Sequence, residues 1–262
     1  MEAFMTGLKE AACWRGGINS MMISSATSKK ILAIVPAYNE RGNIARTVAE
    51  LNSLKLPITV LVVDDGSCDG TKDEAVRSGA LVISLPFNTG IGGAVQTGFK
   101  FALKEGFDVA VQVDGDGQHD AVYVEALLRP VLDEKSDLVI GSRFIPPYLG
   151  YRSSFVRRIG INFFARLISM LTGFKITDPT SGFRAYSPKI IKAFASYYPQ
   201  DFPEPEAIMV VRRLGARLTE VPVQMRKRTG GRSSIRYLKT LYYMIKVTFA
   251  ILLDMVKKGK AD

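Results

Sequence analysis

The segment VAVQVDGDGQH, residues 109–119, joins an apolar, β-branched run to a turn that carries two aspartates. The run at 109–113 has the composition of a strand buried in a parallel sheet. Asp114 and Asp116 are two residues apart, and on an extended segment side chains at that spacing point to the same side. The segment predicts either a Mg²⁺ or Mn²⁺ site completed by substrate phosphates, or an acidic turn without a ligand.

His119 closes this segment and is the one histidine of the chain. It is either a neighbouring metal ligand or a loop residue, and we favour the loop residue. A zinc site or a Ser-His-Asp triad would have to be built around this side chain alone. The two cysteines, Cys13 and Cys68, lie far apart in the sequence, which argues against a disulfide framework and a thiolate metal cage.

Strands and helices alternate outward from the segment. Further apolar runs predict strands at residues 31–35, 59–63, 81–85 and 137–140. Helical periodicity lies between the strands at residues 43–54, 72–78, 93–104 and 122–132. This alternation predicts an α/β fold with a mostly parallel, Rossmann-like sheet flanked by helices. Ligands bind such sheets at the carboxyl ends of the strands, where the acidic and glycine-rich clusters of this chain fall.

The second half of the chain has a different pattern. Amphipathic periodicity predicts helices at 155–171, 206–214 and 235–256, a strand at 218–225, and a polar loop at 178–186. We divide the chain into a disordered leader at 1–28, one α/β domain at 29–234, and a C-terminal amphipathic helix at 235–262. No linker that would separate two domains is visible.

Charge is distributed unevenly along the chain. Residues 1–140 carry 13 Lys or Arg and 18 Asp or Glu, whereas residues 141–262 carry 22 and 7. The basic half indicates contact with an anionic partner, either a phosphorylated substrate, a lipid surface or a nucleic acid. No base-reading motif accompanies the charge, so we expect no nucleic-acid partner.

Seven motifs occur in order along residues 30–240. They are VPAYNE at 35–40, VVDDGSCDGT at 62–71, NTGIGGAVQTG at 88–98, VDGDGQH at 113–119, IGSRF at 140–144, DPTSGFRAY at 178–186 and EVPVQMRKRTGGRSS at 220–234. Together they resemble family 2 glycosyltransferases of the GT-A fold. Within that family they are most similar to the dolichyl- and polyprenyl-phosphate mannosyl- and glucosyltransferases.

The resemblance implies a role for individual residues on the donor side. The residues implied to bind the nucleotide sugar are Pro36, Tyr38, Glu40, Asp65, Asp114 and Arg228. The divalent metal, Mg²⁺ or Mn²⁺, is implied to bind Asp114, Asp116 and Gln118. Arg228 belongs to an R-x-x-G loop that is implied to close over the donor diphosphate, and it counts with Asp116 and Asp178 as a catalytic residue.

On the acceptor side, the resemblance implies that basic residues face a lipid phosphate. The residues concerned are Arg143, Arg152, Arg157, Arg158 and Arg184. A lipid phosphate is ionised near neutral pH, since its second pKa is ~6, so an inverting single displacement needs no strong base. A sugar hydroxyl as acceptor would need one, and Asp178, Glu204 or Glu206 are the candidates.

Two further expectations concern partners. The most apolar stretch of the tail, 241–253, is interrupted by Lys246 and is shorter than the ~20 residues of a membrane span. We therefore expect a peripheral protein at the cytoplasmic face of a membrane, attached through its C-terminal helix, unless the apolar stripe of that helix packs on protein instead. The alternative function is a non-catalytic nucleotide-binding module docked on a membrane partner protein.

Overall fold

A computed structural model describes residues 29–146 and 155–226, together with Lys246 and Thr248. The strands are β1 (Ile31–Ala37), β2 (Ile58–Asp64), β3 (Leu81–Ser84), β4 (Val109–Gln112), β5 (Leu138–Ser142), β6 (Arg184–Tyr186) and β7 (Leu218–Pro222). The helices are α1 (Ile44–Asn52), α2 (Thr71–Arg77), α3 (Gly90–Lys104), α4 (Val124–Leu132), α5 (Phe155–Thr172), α6 (Pro188–Ser196) and α7 (Pro203–Arg213). A 3₁₀ turn, Ala121–Tyr123, precedes α4.

The strands of the described residues form one sheet in the order β3-β2-β1-β4-β6-β5-β7. β6 runs antiparallel to its neighbours β4 and β5, and every other neighbouring pair is parallel. The prediction of a mostly parallel α/β sheet is therefore confirmed. The carboxyl ends of the six parallel strands meet at one edge, and the amino end of β6 lies at the same edge because that strand runs the opposite way.

Side chains of β1 alternate between two cores. Leu32 and Ile34 pack with apolar side chains of α3, α5, α6 and α7, whereas Ile31, Ala33 and Val35 face those of α1, α2 and α4. All five are fully buried. Helices thus cover both faces of the sheet, which is the arrangement that a central parallel strand without polar side chains requires.

The structure differs from the sequence-based prediction in three elements. The predicted polar loop at 178–186 is wrong in its last part, since Arg184–Tyr186 form β6 in the middle of the sheet. Helix α6 was not predicted, although Pro188 stands in its first turn, a favoured position for proline. Helix α3 begins at Gly90 instead of residue 93, so the GIGG sequence is the first turn of the helix.

Within residues 29–146 and 155–226, no helix combines the length and apolarity that crossing a bilayer demands. The predicted leader at 1–28 and the predicted C-terminal helix at 235–262 lie outside the described residues, so the division of the chain stays a prediction.

Candidate active site

Asp65, at the carboxyl end of β2, caps a helix. Its carboxylate accepts hydrogen bonds from the backbone N–H groups of Thr89 (2.7 Å) and Gly90 (2.9 Å) and from the Thr89 hydroxyl (2.8 Å). These N–H groups begin α3, where the helix dipole favours a negative charge. Asp65 therefore joins the loops that follow β2 and β3, and its role as a nucleoside ligand stays a prediction.

The loop after β1 is tied to the loop after β2 by Asn39, whose φ of 53° is positive. Its side-chain oxygen accepts from the N–H of Cys68 at 3.0 Å, and its own N–H donates to the Ser67 hydroxyl at 2.9 Å. Tyr38 lies beside it and is 48% exposed. The predicted nucleoside residues are thus found at the ends of two neighbouring strands: Pro36, Tyr38, Glu40 and Asp65.

Accessibility alternates along the segment that follows β4. Asp114, Asp116 and Gln118 are partly exposed, whereas Gly115, Gly117 and His119 between and after them are buried. The N–H of Gly115 donates to the carbonyl of Pro36 at 3.2 Å, which holds the segment against β1. The segment is a turn at Gly115 and Asp116 and not an extended strand, and Gly117 has a φ of 72°. Its accessible side chains are two carboxylates and one amide, those of Asp114, Asp116 and Gln118.

This set of oxygen donors fits a small divalent cation such as Mg²⁺ or Mn²⁺. The described residues contain no group of three or more His, Cys, Asp and Glu side chains arranged to hold a metal. An ion at Asp114, Asp116 and Gln118 would therefore take its remaining ligands from substrate phosphates and water, which is the usual arrangement for Mg²⁺.

His119 is buried beneath the accessible segment. Its Nδ1 accepts a hydrogen bond from the backbone N–H of Asp114 at 2.9 Å, and its ring stacks on that of Phe183, with centroids 4.5 Å apart and planes 8° from parallel. Burial lowers the pKa of His119, against the opposing effect of the Asp114 carboxylate. The structure thus places His119 under the segment as a support, a function that the sequence analysis did not anticipate.

Strand β6 contributes to the same support. Tyr186 donates its hydroxyl to Gln112 Oε1 at 3.0 Å, and burial raises the pKa of Tyr186, so the hydroxyl keeps its proton. Gln112 in turn donates to Asp114 Oδ1 at 3.4 Å. A Cβ added to Gly182 would stand 3.1 Å from Nε2 of Gln112, so glycine leaves room for this amide.

Arg143 and Asp178 form a bidentate ion pair. Arg143 donates from Nε to Asp178 Oδ2 at 2.6 Å and from Nη2 to Oδ1 at 2.7 Å, and its backbone N–H reaches Oδ2 at 3.2 Å. The two side chains are 5% and 0% exposed. Glu220 of β7 accepts from the N–H of Asp178 at 2.9 Å and thereby fixes the loop that carries it. The structure brings these two predicted residues together in one buried contact.

Arg184 of β6 is fully buried. Its Nε donates to the carbonyl of Ser181 at 2.6 Å and its Nη2 to that of Pro179 at 3.0 Å. Nη1 has no hydrogen-bond partner in the part of the chain that the structure describes. Burial raises the pKa of Glu204, and the nearby charge of Arg184 opposes that shift. Arg184 therefore shapes the loop after Asp178 from within the protein.

Arg226, just after β7, connects three segments. Its Nη1 lies 2.6 and 2.7 Å from the two carboxylate oxygens of Glu50 on α1, and its Nη2 lies 2.8 Å from Asp120 Oδ1. Its backbone N–H donates to the carbonyl of Gln118 at 2.9 Å, and the preceding Met225 forms an antiparallel bridge with His119. The segment that contains Asp114 and Asp116, called the Asp-x-Asp segment below, is thus fastened to the chain that leads into the R-x-x-G loop.

Four of the predicted arginines lie in or near segments of which little is described. Arg158 is an exposed residue of α5, and Arg157 belongs to the same helix. Arg152 and Arg228 lie outside the described residues. Their predicted contacts with acceptor and donor stay predictions.

Comparison with protein-family models matches residues 32–194 of this chain to Glycosyl transferase family 2. The chain belongs to this family. The match spans β1 to β4 with their loops, β5 and β6, and therefore the whole of the described site up to Arg184.

Curated relatives of this family 2 glycosyltransferase carry names that specify their substrates. It is 34% identical over 219 residues to the undecaprenyl-phosphate mannosyltransferase of Micrococcus luteus, covering 79% of this chain and 87% of the relative. It is 28% identical over 215 residues to a UDP-N-acetylglucosamine–dolichyl-phosphate N-acetylglucosaminyltransferase of Methanococcus voltae, covering 75% and 85% of the two chains.

Solved structures share the GT-A fold. Glucosyl-3-phosphoglycerate synthase from Mycobacterium tuberculosis in complex with phosphoglyceric acid superposes with a TM-score of 0.71 at 21% identity, covering 94% of this chain and 87% of the synthase. The same enzyme with Mn²⁺, UDP and glucosyl-3-phosphoglycerate gives a TM-score of 0.67 at 21% identity, with the same coverage. The predicted fold is confirmed by this likeness.

Proposed function

We propose that this family 2 glycosyltransferase moves a sugar from a nucleotide sugar to the phosphate of a polyprenyl or dolichyl lipid, with inversion, at the cytoplasmic face of a membrane. The observation that carries the proposal is the accessible row of Asp114, Asp116 and Gln118 beside the ends of β1 and β2. The names of the Micrococcus and Methanococcus relatives support the lipid-phosphate acceptor. The synthase complex with Mn²⁺ and UDP supports the metal and the kind of donor.

The leaving group of the nucleotide sugar is a nucleoside diphosphate, so the site must stabilise the negative charge that develops on the diphosphate as the sugar is transferred. Asp114, Asp116 and Gln118 would hold a Mg²⁺ or Mn²⁺ ion, which supplies positive charge there. Arg228 is the second source of positive charge in the proposal. It lies in a basic sequence next to Gly230 and Gly231, and a cation that closes on the diphosphate contributes mainly to kcat.

The acceptor phosphate is its own nucleophile, because its second pKa of ~6 leaves it ionised near neutral pH. In this proposal Asp178 holds Arg143 in place through the buried bidentate pair, and Arg143 orients the acceptor phosphate. The proposal also gives Arg152, Arg157 and Arg158, which follow Arg143 in the sequence, a part in attracting the acceptor phosphate. No proton has to be removed from the acceptor in this reaction.

A sugar hydroxyl is the second candidate acceptor, and one observation favours it. Burial raises the pKa of Glu204, and a carboxylate with a raised pKa is a better general base near neutral pH. Against this candidate, the neighbouring Arg184 opposes the shift.

The test is transfer from a panel of UDP- and GDP-sugars in the presence of Mn²⁺, with undecaprenyl phosphate, with a free oligosaccharide, or with no acceptor. We expect product only with the lipid phosphate, and loss of product in EDTA. Asp116→Asn should fold normally and turn over slower by orders of magnitude. Transfer to the oligosaccharide alone, or full activity of Asp116→Asn in EDTA, would overturn the proposal.

A further inference from the structure

We propose that His119 is a positioning residue that holds Asp114 by accepting its backbone N–H at Nδ1, with Nε2 of the same ring near its carboxylate. The proposal rests on the function proposed above, since it explains how one residue of the Asp-x-Asp segment is kept in place before any ligand arrives. The proposed role of His119, the single histidine of the chain, differs from both roles considered in the sequence analysis, a metal ligand and a loop residue.

The first contact fixes the tautomer of the ring. Nδ1 accepts the backbone N–H of Asp114 at 2.9 Å, so Nδ1 carries no proton. The neutral ring therefore carries its proton on Nε2. A histidine in this state is an acceptor on one side and a donor on the other, and it cannot serve as a metal ligand through Nδ1 while that hydrogen bond persists.

The second contact concerns the side chain of the same aspartate. Nε2 of His119 lies 3.6 Å from Asp114 Oδ2. This separation is longer than a hydrogen bond, and the imidazole is 2% exposed whereas the Asp114 side chain is 36% exposed, so the contact is an electrostatic one at the boundary with solvent. On the other side, Gln112 donates to Oδ1 of the same carboxylate at 3.4 Å. One oxygen of the Asp114 carboxylate thus accepts a hydrogen bond from Gln112, and the other lies near the imidazole of His119.

The imidazole itself cannot move freely. It lies flat on the ring of Phe183, and its backbone pairs with Met225 in an antiparallel bridge. Phe183 directly precedes β6, and Gly182 before it leaves space for the Gln112 amide that donates to Asp114. The support is therefore assembled from β4, β6 and the chain after β7, three segments far apart in the sequence.

These contacts orient Asp114 before a metal ion or a nucleotide binds. Residues that orient a metal-binding or phosphate-binding group without touching the ligand typically alter affinity or activity by ~10–100-fold when they are replaced. We expect an effect of this size for His119, on metal and nucleotide affinity, with Asp114 itself intact.

The first measurement needs neither metal nor substrate. Because the chain contains one histidine, its ring nitrogens give unambiguous signals in long-range ¹H–¹⁵N spectra of the ¹⁵N-labelled protein. We expect a neutral ring protonated at Nε2, and a shift of the Nε2 signal in Asp114→Asn. A ring protonated at Nδ1, a cationic ring, or an Nε2 signal that ignores Asp114→Asn would overturn the proposal.

The second measurement is Mn²⁺ binding in the presence of UDP or GDP, followed by electron paramagnetic resonance, beside the thermal midpoint of each variant. His119→Asn can place an amide oxygen near the position of Nδ1, whereas His119→Ala cannot. We expect ~10–100-fold weaker Mn²⁺ binding in His119→Ala and partial rescue in His119→Asn. Wild-type affinity in His119→Ala, with only a lower thermal midpoint, would reduce His119 to a structural residue.

The two proposals fail in different ways. If the wild-type protein binds no Mn²⁺ with either nucleotide, the proposed function is wrong, whereas the ring spectra still decide whether His119 holds Asp114. If the wild type binds Mn²⁺ and nucleotide but His119→Ala binds them equally well, the proposed function stands and the positioning role is wrong.

Discussion

The ion pair between Arg143 and Asp178 is a contact of the candidate site between two buried side chains of opposite charge. Both charges are withdrawn from water, and the two groups meet in a bidentate contact. Such a pair adds little net stability compared with apolar residues, but removing one member leaves a buried charge without its partner. The pair therefore serves to hold a guanidinium in one orientation at the strand edge.

Asp178→Asn should lower the free energy of unfolding by ~3–5 kcal/mol, because the buried guanidinium of Arg143 loses the carboxylate that binds it in a bidentate contact. Denaturant titration measures this change. The matched control is Asp133→Asn, which breaks an exposed pair with Lys135 and should cost less than ~1 kcal/mol. If Asp178→Asn is as stable as the control and only kcat falls, Asp178 acts as a base and the supporting role is wrong.

Gly66 follows the capping aspartate of β2 and has a φ of +75°. A Cβ at this position would lie 2.9 Å from the carbonyl carbon of Phe87, in the loop that donates hydrogen bonds to Asp65. Gly70 directly precedes α2 as its N-cap residue and has a φ of +88°. A Cβ added to Gly70 would have no atom within 4 Å. The two glycines separate the effect of backbone conformation from that of crowding.

Gly66→Ala should therefore be more destabilising than Gly70→Ala. Both substitutions force alanine into the left-handed region at ~1–2 kcal/mol, and only the first adds a clash with backbone atoms, worth a further ~1–3 kcal/mol. Urea denaturation of the two variants and the wild type measures the difference. Equal losses in the free energy of unfolding would mean that the loop at Phe87 moves away from the added methyl group at no energetic cost.

At the scale of elements, the sequence predicts regular alternation well and short central strands poorly. The five runs of the first half are recognisable because each is apolar and is bounded by proline, glycine or acidic residues. β6 was missed because three residues are too few for a two-residue period, and because Arg184 is polar yet buried against backbone carbonyls. Phe183, just before this strand, stacks on His119 beneath the Asp-x-Asp segment, and that contact depends on strand order, which local sequence does not determine.

The salt-bridged Arg226 links α1, the segment after β4 and the end of β7. Arg226→Met should lower kcat/KM by ~10-fold or more, because the Asp-x-Asp segment loses its fastening to the chain that leads to Arg228. Stability should change by only ~1 kcal/mol, since all three side chains are partly exposed. Steady-state kinetics and denaturation of the same preparation separate the two effects.

Arg217→Met is the matched control for this substitution. Arg217 pairs with Asp137 at 3.3 Å, at the amino end of β5 and thus at the opposite edge of the sheet. We expect kcat/KM within twofold of the wild type for this variant. Equal kinetic losses in the two variants would show that the effect of Arg226 does not come from its place beside the site.

At the scale of the whole molecule, the basic half of the chain includes an exposed helix face that carries both apolar and basic side chains. On α5, Phe163 is 44% and Met170 75% exposed, and the exposed side chains of Arg158 and Arg166 lie among them. A helix face that mixes apolar and basic side chains suits the headgroup region of an anionic membrane. The face lies in the half of the chain that carries 22 Lys or Arg and 7 Asp or Glu.

The protein should therefore sediment with anionic vesicles at low salt and be partly released at high salt, because the attraction is screened. Arg158→Glu with Arg166→Glu should weaken binding, and truncation after Ser234 should weaken it as well. Lys189→Glu with Lys192→Glu on α6 makes the same change in charge elsewhere and should bind like the wild type. A wild type that stays in the supernatant at every salt concentration and lipid composition would refute the membrane contact.

The antiparallel strand β6 also governs the order in which the protein can fold during synthesis. β1 to β4 can pair once about the first 113 residues have left the ribosome, since β1, β2 and β3 have all their partners among these four strands and β4 pairs with β1. β5 then has no partner until residues 184–186 and 218–222 follow, and the apolar β4 stays an unprotected edge in the meantime. The nascent chain thus passes through a half-sheet prone to pair with other chains, so a chaperone that covers this edge would raise the yield of native protein.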